Sequence, residues 1–237
     1  MIKRPMKGEQ IEDLSRIIFP VYASRKLDGF RCILGKQALS SRLAPFRNPF
    51  VQSELRGLLH EPLLDGEIVV GKRRGKGVLQ RTSSGLTNGA GQPDFTMWAF
   101  DTPQVGYGFR DRMQLTQQIV NDLGHPRIRF LKQRLVGSLS ELEDYIEESL
   151  ELEYEGVIVK SPHGPYKEGK ATIKEGYQLK IKPFEDAEGR VIGYFEEMEN
   201  QNEAKKDATG KSKRSSAASG KVAKGRLGGL ILKDIRT

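Results

Sequence analysis

The apolar residues of this 237-residue chain come in short runs, each fenced by a turn residue or a charge, and that spacing limits what the chain can become. Residues 63–70, 95–100, 128–136, 156–160 and 177–182 are rich in β-branched or aromatic side chains and read as strands. Residues 20–24 predict another, turning at Asp28-Gly29 into a partner at 30–34. Helical spacing appears over 110–123, closed by Gly124 as a C-cap, and from Ser138 to about Glu153. Ser138 with Glu141 three residues on is a capping box. Strands outnumber helices without a regular βαβ rhythm, so the expected class is α+β with a largely antiparallel sheet.

Pro183 marks a boundary between a domain at 1–183 and a second segment at 184–237. Beyond it, 189–198 and 225–235 predict strands around a polar, flexible insertion at about 199–220. Two strands do not make a stable domain alone, which suggests part of an all-β module. Gly210-Lys211-Ser212 resembles the end of a phosphate loop, but Lys205 stands where the pattern needs glycine.

Composition narrows the partners. Thirty-nine Lys and Arg against 31 Asp and Glu give a net charge of +8, which favours a polyanion such as nucleic acid. From 199 to 237 there are ten basic and four acidic residues. Lys72, Arg73, Arg74 and Lys76 sit in a glycine-rich stretch read as a flexible loop able to touch a phosphate backbone. A single cysteine, Cys32, excludes an internal disulfide, and three scattered histidines argue against a zinc site. Cys32 lies on an apolar run and is expected to be an inert core thiol. No apolar run approaches the ~20 residues of a membrane span, and no signal-like segment opens the chain, so a cytoplasmic protein is expected.

The hexad Lys26-Leu27-Asp28-Gly29-Phe30-Arg31 carries the most chemistry. A lysine at a strand end before a tight turn can hold its amine at the floor of a cleft. It becomes a nucleophile when desolvation or nearby cations disfavour its proton. Lys180-Ile181-Lys182 puts two cations on one strand face and is the expected source. Asp65-Gly66-Glu67 and Glu155-Gly156 place carboxylates at strand starts. Trp98 and Phe100 share one face of an aromatic run. Taken singly, each of these also fits an ordinary turn or core strand.

In order and spacing these segments, with Ser41-Arg42, Trp98-Ala99-Phe100-Asp101 and Glu155-Gly156-Val157-Ile158-Val159-Lys160, resemble the successive motifs of covalent nucleotidyltransferases. They are most similar to small bacteriophage-type ATP-dependent DNA ligases, and the resemblance runs from about Pro20 to Asp234. It implies an antiparallel-sheet adenylation domain at 1–183 and a partial OB-fold domain at 184–237. It further implies that Lys26 attacks the α-phosphate of ATP, carries AMP covalently, and passes it to the 5′-phosphate of a nick before the 3′-hydroxyl closes the strand. By the same resemblance Asp28 orients the nucleophile, and Lys180 and Lys182 neutralise the α-phosphate. Glu67 and Glu155 serve the ribose or hold Mg²⁺. Phe100 stacks on adenine with Trp98 as fallback, and Ser24 meets the adenine amino group. Arg31 contacts the sugar or the nick phosphate, and Arg42 the 5′-phosphate. Lys72 and Arg73 are the added nucleic-acid contacts. The implied partner is nicked duplex DNA and the implied state a monomer in bacterial or phage-infected cytoplasm, serving repair, replication or recombination.

Three alternatives share part of this pattern: an RNA ligase, a capping-type guanylyltransferase and a non-catalytic nucleic-acid-binding fragment. Val159 stands where the capping enzymes usually carry an aromatic residue. The family's basic closing motif of the OB domain is missing after 183, which leads to the expectation of slow Lys26 charging with better retained sealing of a pre-adenylated nick. The basic tail is alternatively a DNA-binding arm.

Overall fold

The computed structural model describes residues 3–59, 61, 63–183, 188–206, 212–215 and 217–235. They fall into two units that divide after Pro183. In chain order the first unit holds strands β1 (Met6–Gln10), β2 (Val21–Lys26), β3 (Phe30–Leu34), β4 (Ala38–Leu39), β5 (Leu64–Val70) and β6 (Phe95–Asp101). There follow β7 (Ile128–Phe130), β8 (Arg134–Val136), β9 (Gly156–Lys160), β10 (Gly169–Ala171) and β11 (Gln178–Ile181). Its helices are α1 (Pro49–Leu55), α2 (Val78–Thr87), α3 (Phe109–Leu123) and α4 (Leu139–Glu151).

The strands form two sheets. One is six-stranded in the order β10-β1-β11-β9-β2-β8, the other five-stranded in the order β4-β3-β5-β6-β7. Most pairs are antiparallel; β1 with β10, β1 with β11, and β6 with β7 are parallel. Each sheet has its own core. Val21, Ala23, Val157, Val159, Leu179 and Ile181 pack with Leu142 and Tyr145 of α4. Cys32, Leu34, Leu64, Ile68, Phe95 and Met97 pack with Val51 and Leu55 of α1, Leu86 of α2 and Ile119 and Val120 of α3. Cys32 is fully buried, and burial pushes its thiol well up, so it is an inert core thiol.

This division corrects the hairpin expected at Asp28-Gly29. β2 pairs with β8 and β9, while β3 pairs with β4 and β5, so the turn carries the chain from one sheet to the other. The apolar faces of the two strands belong to different cores, which no hairpin can satisfy. Gly29 permits the crossing, because a Cβ there would come 2.3 Å from the Ile68 carbonyl oxygen. The run at 128–136 breaks in the same way: β7 joins β6 and β8 joins β2.

The stretch 71–91, expected as a loop, contains α2. Its buried stripe, Val78, Thr82 and Leu86, is thin, and Ser83, Ser84 and Gly85 mask it in the sequence. The two expected helices form as read. Gly124 caps α3 with φ 54°, and Ser138 Oγ accepts the Glu141 amide at 3.3 Å. Strands β1 and β10 and helix α1 were not foreseen.

The second unit is an antiparallel ribbon of β12 (Gly189–Asn200) and the late strand at Lys221–Asp234. Between them β13 (Ala204–Lys206) pairs with β14 (Ser212–Arg214), and the Lys221–Asp234 strand is β15. The insertion expected at 199–220 therefore includes a short hairpin; its residues 207–211 and 216 lie outside the described residues. No described helix is long and apolar enough to cross a membrane.

Candidate active site

A cleft of about 230 Å³ opens between the two sheets of the first unit. The strand registers decide what faces it. Lys26 lies opposite Gly156, and Ser24 opposite Ile158. On the other side of β9, Lys180 lies opposite Ile158 and Gln178 opposite Lys160. Side chains two apart point the same way, so β2, β9 and β11 present Ser24, Lys26, Ile158, Lys160, Gln178 and Lys180 on one wall. Lys7 and Gly8 of β1 extend that wall, and Arg31, Glu67 and Phe100 come from the other sheet.

The Lys26 amine donates to the Glu155 carboxylate, and Lys182 lies 2.9 Å from the same carboxylate. Burial pushes Glu155 up, but hydrogen bonds from the two lysines outweigh it and hold the carboxyl below its usual value. Gly156 makes the arrangement possible. With φ 148° it brings its backbone against β11, where a Cβ would lie 2.2 Å from the Ile181 carbonyl oxygen. The expectation that cations are the immediate neighbours of Lys26 is thus corrected: an anion sits between Lys26 and Lys182, while Lys180 faces the cleft separately.

Burial pushes Glu67 up to about 7, with Arg31 and Lys26 partly opposing and Asp65 and Glu155 adding to the shift. Among the described residues it has no ion-pair partner. Arg31 is fixed directly by three groups and, through Asp65, by a fourth. Both its Nε and an Nη donate to Asp65, the same Nη reaches the Met6 carbonyl at 3.0 Å, and the guanidinium stacks 4.8 Å from the Phe100 ring. Tyr166 completes the set by donating to Asp65 at 2.6 Å.

A second buried network joins the sheets below the cleft. Asp101 accepts from Arg112 Nε at 2.8 Å and from Lys160 Nζ at 2.8 Å. Burial opposes the Asp101 charge, yet the two cations hold its pKa low. Lys160 moves down, because burial exceeds the help from Asp101. Its ammonium lies 5.0 Å from the Phe100 ring centre, a cation–π contact that helps to hold the ring. None of Lys7, Gln178, Lys160 or Arg112 was assigned a role from the sequence. The i, i+2 relation to Lys180 was the available signal for Gln178.

Phe100 therefore lines the cleft, but Trp98 does not; Arg73 covers its ring at 4.3 Å. Asp28 lies beside the cleft, in a groove with Glu155, Arg73 and Arg74. Arg42 is exposed in the turn after β4, and Lys72 is exposed before α2. No cluster of three metal-ligating side chains occurs among the described residues. Glu67 and Glu155 still suit a hard cation such as Mg²⁺, which takes one or two carboxylates and completes its shell with phosphate oxygens and water.

Residues 5–182 match the sequence profile of the ATP dependent DNA ligase domain. The solved structure of the Chlorella virus DNA ligase-adenylate is similar at 29% identity and TM-score 0.68, over 83% of this chain and 75% of that one. A structure described among the Lig E DNA ligases aligns over 100% of this chain and 82% of that one, at 20% identity and TM-score 0.74. The bacteriophage T7 ligase complex with ATP aligns over 90% and 80%, at 17% identity and TM-score 0.56. A comparison with curated protein sequences gives no significant match. The fold is the α+β nucleotidyltransferase domain of DNA ligases with a partial, OB-like β segment.

Proposed function

The chain belongs to the ATP-dependent DNA ligase domain family, and we propose that it seals nicks in duplex DNA through a lysyl-AMP intermediate on Lys26. The observation that carries this is the Lys26 amine, held by Glu155 at the mouth of a cleft whose walls supply Lys180, Glu67 and Phe100. For attack, the Lys26 ammonium gives up its ion pair and passes a proton to the water that reaches its partly exposed side chain. Its nitrogen bonds to the α-phosphorus of ATP, the bridging oxygen to the β-phosphorus breaks, and pyrophosphate leaves. AMP then moves to the 5′-phosphate of the nick, and the 3′-hydroxyl displaces it. All three steps are displacements at phosphorus, which positioning and charge neutralisation accelerate.

Phe100, backed by Lys160 and Arg31, offers a fixed flat surface for the adenine. Ser24 is the polar group on the facing strand. Lys180 faces the α-phosphate, and Lys182 holds Glu155 in place while adding a second cation. Arg31 contacts the sugar, Asp28 orients the Lys26 turn, and Arg42, Lys72 and Arg73 lie outside the cleft as contacts for DNA phosphates. Glu67 and Glu155 would hold Mg²⁺, whose charge screens the phosphate oxygens. A duplex carrying one nick, incubated with ATP and Mg²⁺, gives the sealed strand on a denaturing gel. Lys26→Ala and Lys26→Arg abolish the product. Equal sealing by all three proteins, or Lys26 labelled by GTP and not by ATP, contradicts the proposal.

A further inference from the structure

Gln178 precedes Lys180 by two residues on β11, so both face the cleft, while Leu179 and Ile181 point into the core under α4. The Gln178 residue is 4% exposed, and its Oε1 has no hydrogen-bond partner. The nearest charged residue in register, Lys160, spends its ammonium on Asp101 at 2.8 Å. A buried amide left without a partner is costly, and apolar residues would fill the same volume without that cost. The fold nevertheless makes room for it. Gly8 on the neighbouring strand β1 leaves free the space a Cβ would take 3.2 Å from Gln178 Cγ.

We propose that the Gln178 carboxamide is the base-selecting group of the cleft, pairing with the 6-amino group and N7 of adenine. The proposal rests on the assignment of this cleft to ATP. A carboxamide carries an acceptor and a donor side by side, and an adenine edge offers the complementary donor and acceptor. The discriminating edge is N6/N7, where guanine offers two acceptors, O6 and N7, so whichever way the amide turns its oxygen faces an acceptor. Rotation of the amide about its last torsion exchanges oxygen and nitrogen without changing its shape, so the missing partner of Oε1 is supplied when the base enters. Phe100 on the opposite wall keeps the base flat against this edge.

The test measures self-charging of the full chain at varied concentrations of ATP, GTP and purine riboside triphosphate, which lacks the 6-amino group. The wild type prefers ATP to the amino-free analogue by about tenfold or more. Gln178→Leu, of similar volume, erases that preference, its KM for ATP rising to that for the analogue. Equal use of ATP and the analogue by the wild type overturns the proposal whether or not the variant folds. An unchanged preference in folded Gln178→Leu overturns it as well. Either result leaves Lys26 charging intact, whereas no charging of the wild type by any nucleotide removes the reading of the cleft itself.

Discussion

Glu155 accepts a hydrogen bond from the Lys26 amine, so the proposed nucleophile rests in an ion pair with a carboxylate and not among cations. The same carboxylate holds Lys182 at 2.9 Å, which makes it the joint of the site. Glu155→Gln keeps the shape and removes the charge. Single-turnover charging is expected to fall about 100-fold, the scale of losing one group that positions or neutralises charge at the reacting centre. Both partners are partly exposed, so the melting temperature should move little. Charging within a few-fold of wild type would deny Glu155 this role.

Glu67 titrates near neutrality because burial outweighs Arg31 and Lys26. Its folded pKa lies above the ordinary carboxylate value, so the folded state binds more protons than the unfolded state between about pH 4.5 and 7. Stability therefore falls as pH rises through that window. Glu67→Gln should raise the melting temperature more at pH 8 than at pH 5. If Glu67 acts as an anion, Mg²⁺-dependent charging should rise from pH 6 to 8 in the wild type. That rise should be absent from the variant. Parallel pH profiles would separate Glu67 from the reaction.

Asp101 bridges Arg112 and Lys160 in a buried network. Asp101→Asn leaves two buried cations without their counter-charge and should cost about 3–5 kcal/mol of stability in urea unfolding. The Asp101 pKa is depressed, so its contribution is present above the unfolded value near 3.8 and is lost as pH falls through the lower folded value. A loss below about 1 kcal/mol would mean the two cations find other partners.

Arg42 and Lys72 are exposed and outside the cleft. Substituting both by Ala should leave ATP charging unchanged, weaken nicked-duplex binding, and reduce the slope of log affinity against log salt by about one per lost phosphate contact. An unchanged slope would place the DNA elsewhere on the protein.

The sequence marked the residues that line the cleft more clearly than the topology that assembles it. Lys26, Glu67, Phe100 and Lys180 stood out through the resemblance of their short motifs to the ligase family, and the structure brings all four to one cleft. The hairpin at Asp28-Gly29 failed because local turn chemistry says nothing about which core each flanking strand joins. Helix α2 was hidden by serines and a glycine, the last needed where Gly85 approaches Val70 and Pro93. The Asp101–Arg112–Lys160 network depends on residues far apart in the chain, and no local pattern announces it. The anion beside Lys26 follows from β2 pairing with β9, a register that spacing alone does not reveal.

Incubation of the protein with ATP and Mg²⁺, followed by intact-mass and peptide mass spectrometry, should show one added AMP on the peptide containing Lys26. The adduct should be acid-labile, as expected of a phosphoramidate, and should disappear on chasing with pyrophosphate. Wild-type protein without the adduct, or an adduct that persists in Lys26→Ala, would contradict the account.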